Sequence, residues 1–506
     1  MRAITRPVCL IVALGVVGML AVAGCGAASS SSTSGSSTTA SAGSGGSGGG
    51  STQCGGGEPV SGAPKAIEGM PEPNEGVEEW GQSSSEECVY EGPGNFSVDL
   101  SKCPSNWNIN QGITESSIKL FTSAPHSGAL AAYGAIEDGA KSYFDYLNEN
   151  GGVDGRKIEY EIMDDQYEPA ITAQNVNKAM QSGDYATSFA VFGTPNNLAV
   201  RDTMNKGCEG QYMVATSDGE FFDPQGYPWT TGFGIDRYNE TEVWQEFLEE
   251  KYPEDNEAVM ITMEGDLGES YASNYERAAK GSKMKIVGNE VFAATAPSIK
   301  NQITTAAATK APVVILNVAG TYCTEALAEI EKSSWKPVVI TPNTCAQIST
   351  TYAPLLEAGA TGNGSFTTRY YSVPGDNDVE APEYVALYEK TLKAQGLEAS
   401  NAQYANGWWW AWDFTQVLED AARMKGGLNR ATINIAAHSY TSNWPLLMKG
   451  VEGKMEGVEK AFPYQAAGMF EYTGASGSET GEWKAASPIY NYEGEPKNYQ
   501  EVQKEG

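Results

Sequence analysis

The amino-acid sequence predicts an α/β fold of two lobes, each a parallel sheet with helices on both faces. Three observations carry this. From about residue 113, strand-like runs alternate with helix-like runs, and a β-α-β-α order implies parallel strands joined by helical crossovers. The rhythm then runs a second time, after a break between Gly232 and Asn239. The chain has 506 residues, 41% hydrophobic and 19% charged, which is too long for one domain and apolar enough to build real cores. Ligands of parallel sheets bind beyond the carboxyl ends of the strands, so the lobes are expected to face each other across a cleft.

In the first run, strands are expected at 117–121, 157–163, 188–192 and 212–216. A long helix over 129–150 is stopped by Gly151-Gly152, Pro169 opens a second helix, and a third starts at Asn197. In the second run, strands at 258–263, 285–291, 313–318 and 337–341 alternate with helices at 268–280, 298–309 and 324–332. A strand at 365–371 and helices at 382–395 and 402–424 follow. The last helix carries Trp408, Trp409, Trp410 and Trp412. Large aromatics at helical spacing fill cores, so it reads as a packed helix before it reads as an aromatic ligand cage.

The N-terminus reads as an address. Arg2 and Arg6 precede an uncharged, mostly apolar run from Val8 to Gly24, a signal-peptide core in length and flanks. It ends in Val22-Ala23-Gly24-Cys25, which looks like a bacterial lipobox with Cys25 as the lipidated residue. Residues 26–52 are only Gly, Ala, Ser and Thr, a flexible coil with a reach of about 30 Å. The expected layout is therefore a leader at 1–24, a tether at 25–57 and an acidic, irregular extension at 58–112. The location implied is the outer face of the cytoplasmic membrane.

Lys and Arg total 33 against 64 Asp and Glu, and a net charge of −31 repels phosphate backbones, so no nucleic-acid partner is expected. Of eight cysteines, Cys9 lies in the leader and Cys25 is the lipid site. Six remain, an even number that suggests disulfides in an exported chain, and no C-x-x-C occurs. Cys323 and Cys345 each follow a predicted strand and are expected to pair. Cys54, Cys88, Cys103 and Cys208 allow three arrangements.

The two histidines, His126 and His438, cannot make a three-histidine metal site, and no metal or cofactor is expected. Outside the Gly/Ser-rich tether, nucleotide phosphate loops and the G-x-S-x-G elbow are absent. Ser127 follows His126, but adjacency alone makes no nucleophile–base pair. Asp164-Asp165 reads as a solvated strand end before it reads as a glycosidase pair. The chain is not expected to be an enzyme.

Ser123-Ala124-Pro125-His126-Ser127-Gly128, followed by Ala132-Tyr133-Gly134, resembles the first strand, loop and helix of the branched-chain amino acid-binding family. These are type I periplasmic binding proteins of ABC transporters. Tyr146 to Arg156 looks like the family's N-x-x-G-G-I-x-G-R helix end, and Asp164-Asp165 with Pro169 falls on its D-D-x-x-x-P. The likeness covers roughly residues 113–490. It implies two Rossmann-like lobes, one of 113–235 with 370–445 and one of 236–369 with 446–495, followed by a tail at 496–506. It also implies three hinge crossovers, near Ile235-Asp236, near Thr368-Arg369 and before Phe470.

The resemblance further implies a ligand set. Thr194, Asn196 and the Ser217-Asp218-Gly219 turn fall where the family holds the ligand carboxylate, and free N–H groups at a helix start suit an anion. Ser127 belongs to the same loop cluster, and Tyr133 falls on the aromatic over the ligand side chain. Asp266, Leu267 and Tyr322 fall on second-lobe contacts. Leu267 stands where the family has a tyrosine, and Asn343 near where it has an acid for the ammonium. Both differences argue against an ordinary α-amino acid. Asp218 either supplies a charge for an ammonium or repels a carboxylate. The function implied is a monomeric, lipid-anchored solute-binding protein that delivers a small polar ligand, an amino acid or related amide or organic acid, to an ABC-transporter permease. A ligand-sensing module with the same cleft is the alternative, and a lipoprotein hydrolase stands behind both.

Overall fold

The computed structural model describes residues 54–61, 67–84, 88–128, 130–376 and 379–505. The expected leader, Cys25 and most of the tether lie outside these residues, as does Ala129.

The acidic extension, expected to be irregular, holds a small antiparallel sheet of β1 (Gly81–Gln82), β2 (Val89–Glu91) and β3 (Ser97–Asp99). Tyr90 in β2 and Val98 in β3 are buried between more exposed neighbours, so these short strands present one apolar face to the core. The extension is bonded at both ends, by Cys54–Cys88 and Cys103–Cys208.

The first main sheet has four parallel strands in the order β5-β4-β6-β7: β4 (Ser117–Ala124), β5 (Lys157–Asp164), β6 (Thr187–Phe189) and β7 (Gln211–Tyr212). Helices α1 (Ala135–Asn150), α2 (Pro169–Ser182) and α3 (Thr194–Gly207) connect them. α3 starts three residues earlier than expected. Gly193, at φ 89°, makes the turn, and Pro195 sits in the first helical turn, where its missing N–H costs nothing. β7 is shorter than expected because Met213, at φ 49°, leaves the extended region.

α4 (Arg237–Lys251) was not among the expected elements. Asp236 caps it, its side chain accepting from the backbone N–H groups of Tyr238 at 2.9 Å and Asn239 at 3.3 Å. The second sheet follows with parallel strands β8 (Glu257–Met263), β9 (Lys285–Phe292), β10 (Val313–Asn317), β11 (Val338–Thr341) and β12 (Ser365–Arg369). Between them run α5 (Asp266–Ala278), α6 (Lys300–Thr309), α7 (Thr321–Lys332) and α8 (Ala353–Glu357). Cys323 and Cys345 are bonded, as the sequence suggests.

The chain then returns to the first lobe through α9 (Pro382–Ala394), α10 (Ala402–Arg423), α11 (Arg430–Ala437) and a short pair, β13 (Thr441–Ser442) and β14 (Gly453–Lys454). It finally adds β15 (Ala466–Thr473), β16 (Glu482–Ala485) and β17 (Tyr490–Asn491) to the second sheet. β15 runs antiparallel to β12, so this sheet is parallel through β12 and antiparallel beyond it. α12 (Tyr499–Glu505) is the last described helix.

α10 is the spine of the first lobe. It lies along α1 so closely that a Cβ on Gly407 would stand 1.9 Å from the carbonyl oxygen of Ile136. Trp408, Trp409 and Trp412 are buried in the core and Trp410 is half-buried. α10 also buries three acids, of which Glu419 is paired with Arg423 at 2.6 Å. Asp413 accepts from the hydroxyls of Ser442 at 2.7 Å and Tyr464 at 2.9 Å. Asp420 accepts from the backbone N–H and the side-chain amide of Asn74, both at 2.7 Å, which clasps the extension to the spine. Burial pushes both carboxyls up to about 7.

The native state therefore retains protons on these acids that the unfolded chain releases at lower pH, and their contribution to stability fades as pH rises through about 7. His438 opposes this. Burial holds it down to about 4, so it favours folding more as pH rises toward its ordinary value of 6.5. Two carboxyls outweigh one imidazole above pH 6. The melting temperature is expected to fall between pH 6 and pH 8, and Asp413→Asn with Asp420→Asn to flatten that slope; a Tm that climbs over this interval contradicts the assignment. Cys103–Cys208 closes a sequence separation of 105 residues. Replacing both cysteines by serine is expected to cost about 2–5 kcal/mol in chemical denaturation.

Candidate functional site

The carboxyl ends of β4 to β7 carry loops that meet the second lobe. Tyr133, just before α1, reaches across, and its hydroxyl accepts a hydrogen bond from the backbone N–H of Gly320 at 2.9 Å. Gly320 precedes α7, so this contact draws the lobes together. Tyr133 lies 5.3 Å from the Phe192 ring and Tyr167 5.9 Å from it, which makes one aromatic wall. Burial raises both phenols, Tyr167 to about 12.

Beside this wall sits a buried cation that the sequence reading missed. Arg237, in the first turn of α4, is only 2% exposed. Its Nη1 pairs with Asp218 at 2.6 Å, and its backbone N–H donates to the Ser217 carbonyl at 3.1 Å. Its Nη2 approaches the Thr194 hydroxyl at 3.5 Å, and Thr194 and Thr216 share a hydroxyl–hydroxyl bond of 2.6 Å. The guanidinium carbon stands 5.0 Å from the centre of the Tyr271 ring. Its Nε has no hydrogen-bond partner among the described residues.

Behind Tyr271 lies Glu240, fully buried and one turn further along α4. It accepts from the Tyr271 hydroxyl at 2.8 Å, from the Asn343 backbone at 2.7 Å and from the Asn343 side-chain amide at 2.8 Å. Burial pushes its carboxyl up to about 7 against those donors. An acid thus stands beside Asn343 after all, supplied by a different element. The sequence signal for both charges was Asp236-Arg237-Tyr238-Asn239-Glu240, a helix start placed in the crossover.

The candidate residues divide. Thr194, Ser217 and Asp218 come together around Arg237, and Asp218 is neutralised rather than left to repel an anion. Gly219 follows in the same turn, under the ring of Tyr499. Asp266 opens α5; burial raises its carboxyl, with Asp218 and Glu269 adding to the rise and Arg237 opposing it. Leu267 is half-buried against the core. Asn196 does not face the gap: its amide donates to Asp165 at 3.1 Å inside the first lobe. Tyr322 also turns away, its hydroxyl donating to the carbonyls of Ala294 at 3.0 Å and Ala296 at 2.7 Å. Ser127 donates to Asp164 at 2.5 Å, and His126 Nε2 faces Asp138 at 3.1 Å. Serine and histidine therefore form no nucleophile–base pair.

A cavity of about 20 Å³ beside Asn343, lined also by Thr368, Arg369 and Asp376, has room for about one water. A larger one, about 390 Å³, lies at the amino ends of β8 and β9, lined by Leu248, Tyr252 and Met284. That is the end of the sheet away from the gap. The arrangement at the gap suits an anion: a guanidinium with a spare N–H, two hydroxyls and the first turn of a helix, next to an apolar aromatic wall.

A model of the periplasmic binding protein family matches residues 117–457. No curated protein matches the chain. Among solved structures, a branched-chain amino acid ABC transporter protein from Thermus thermophilus with bound valine superposes with a TM-score of 0.64 at 13% identity, over 75% of this chain and 97% of that one. A fatty acid ABC transporter substrate-binding protein from Thermomonospora curvata gives 0.61 at 18% identity, over 77% and 96%. An ABC-transporter solute-binding protein from R. palustris in complex with benzoate gives 0.59 at 17% identity, over 75% and 99%. At these identities the likeness is one of fold.

Removing the guanidinium leaves Asp218 buried and alone. Arg237→Met is expected to cost about 3–5 kcal/mol in urea unfolding, and Asp218→Asn in the same chain to recover most of it. Equal midpoints for the single variant and the parent contradict a buried ion pair here.

Proposed function

The chain belongs to the periplasmic binding protein family, and on that premise we propose that it captures a small carboxylate-bearing solute between its lobes and passes it, unaltered, to the permease of an ABC transporter. The observation that carries this is Arg237, a buried guanidinium with an unpartnered Nε at the start of α3 and the Asp218 turn. Asp218 offsets one unit of charge, and a ligand carboxylate would meet the remaining N–H together with Thr194, Thr216 and the first-turn amides of α3. The ligand body would lie on Tyr133, Phe192 and Tyr167, with Ser217, Gly219, Asp266, Leu267 and Asn343 at the margins. Valine, benzoate and a fatty acid, named for three of the similar structures, differ in body and share a carboxylate. This favours an amino acid or related organic acid.

Closure works by hinge motion, and a ligand stabilises the closed state only by its differential affinity for it. The three expected crossovers support such a hinge by running side by side. Ile235 is bridged to Tyr464, and the backbone N–H of Ile235 donates to the Tyr370 hydroxyl at 3.3 Å. The protein acts as a monomer, held outside the cell through a lipid on Cys25 and the tether that follows it.

A ligand that binds only the folded state raises its melting temperature. In a thermal-shift screen of small carboxylic acids, amides and amines, hits are expected among the carboxylates. The double variant Thr194→Ala, Tyr133→Ala is expected to lose the shift. A carboxylate hit that survives this variant moves the pocket elsewhere, and hits confined to amines sink the assignment of Arg237.

A further inference from the structure

The family match ends at residue 457, but the chain goes on to cross between the lobes. After β17 it is fixed to the second lobe. Tyr490 donates to Glu250 at 2.8 Å and Tyr492 is bonded to Glu246, both acids on α4. It then runs back along the third crossover. The Gly494 backbone donates to the Gln465 side chain at 3.1 Å, the Gln465 amide donates to the Pro496 carbonyl at 2.9 Å, and the Ala461 backbone donates to the Lys497 carbonyl at 2.7 Å. It ends on the first lobe. The Tyr499 backbone donates to the Phe222 carbonyl at 3.1 Å, and the Gln500 amide donates to Asp223 at 3.0 Å. Tyr499 and the buried Val502 close a small apolar cluster of their own with Phe222, Tyr238 and Phe462.

This endpoint is the loop that carries the Asp218–Gly219 turn. The Tyr499 ring lies so close that a Cβ on Gly219 would stand 2.8 Å from it. We propose that residues 492–505 form a fourth crossing, a strap that ties the ligand turn to the second lobe and resists opening of the cleft, with Tyr499 as the residue that positions the turn. The proposal rests on the cleft reading above. Opening swings Glu246 and Glu250 away from Phe222 and Asp223, and a strap fixed at both ends must then peel off one of them. The end on the first lobe is held by the Tyr499 and Gln500 bonds, by the Asn498 amide on the Val458 carbonyl at 2.9 Å, by the Lys497–Glu459 ion pair and by a satellite cluster outside the main core, whereas the other end continues a strand of the second sheet.

Two measurements on the full chain test this, one of them without a ligand. Small-angle X-ray scattering of the ligand-free protein is expected to show a larger radius of gyration after deletion of 496–506 and after Tyr499→Ala, and a parental value for Tyr499→Phe, which keeps the ring. With a carboxylate found in the thermal-shift screen, release is expected to be about tenfold faster in the deletion and in Tyr499→Ala, because changes to one site act mainly on the dissociation rate. Circular dichroism confirms folding of each variant, and Tyr499→Ala decides the matter if the deletion does not fold. An unchanged radius in Tyr499→Ala overturns the strap whether or not a ligand is known. A screen without carboxylate hits, together with an enlarged radius, leaves the strap standing and overturns the ligand assignment alone.

Discussion

A charged guanidinium in a dry place is the constraint around which the gap is organised. An unpaired buried cation is among the costliest features a fold can hold, and Arg237 without its partners would be one. Everything near it answers that cost. Asp218 supplies the counter-charge, the Tyr271 face supplies a quadrupole, and the Ser217 carbonyl takes the backbone N–H as the helix begins. Because Arg237 opens the first helix after the chain leaves the first lobe, these contacts also fix how the α4 helix starts relative to the Asp218 turn. Charge neutralisation and lobe geometry are the same set of bonds.

Glu240 extends the arrangement. One turn along α4, it holds both Tyr271 and Asn343, so that Arg237, the ring and the acid form a buried line from the first lobe into the second. Both groups are buried: Arg237 is paired with Asp218, and Glu240 accepts three directed hydrogen bonds. The solute carboxylate proposed above would add one more acceptor to a set that already has a donor to spare. Binding in this picture completes a polar network instead of creating one, and needs no bond-making chemistry.

The rest of the molecule keeps that network in register. α10 binds the first lobe to the extension through Asp420 and Asn74, and three disulfides restrain the unfolded chain outside the cell. The crossovers pack on one another through aromatic rings, with Tyr370, Tyr464 and Trp409 mutually in contact. The tail beyond residue 491 follows the same route and adds its own connection beside them.

Local pattern was enough for the fold. Alternating strands and helices, Pro169 at a helix start and Gly151 at a helix end are read from neighbours in sequence, and most bounds hold to within a few residues, although α1 starts at Ala135 rather than 129, behind a 3-10 turn at Ala131–Gly134. Two of the slips follow from a backbone angle: positive φ at Gly193 and Met213 moved α3 and shortened β7. The short strands of the extension were hidden because two or three residues leave no measurable period. The sequence by itself determined most of the alternating elements between residues 113 and 424, their parallel order and the loops that face the gap, because hydrophobic period and turn chemistry are local; α4, α8, α11 and the antiparallel strands β13 to β17 escaped it. Only the tertiary structure decided which side chains point there. Asn196 and Tyr322 turned to closer partners, Cys54 and Cys103 chose theirs, and Arg237 met Asp218 across the loop between them. A side chain's direction is set by whichever partner folding brings within about 3 Å, and no spacing along the chain encodes that distance.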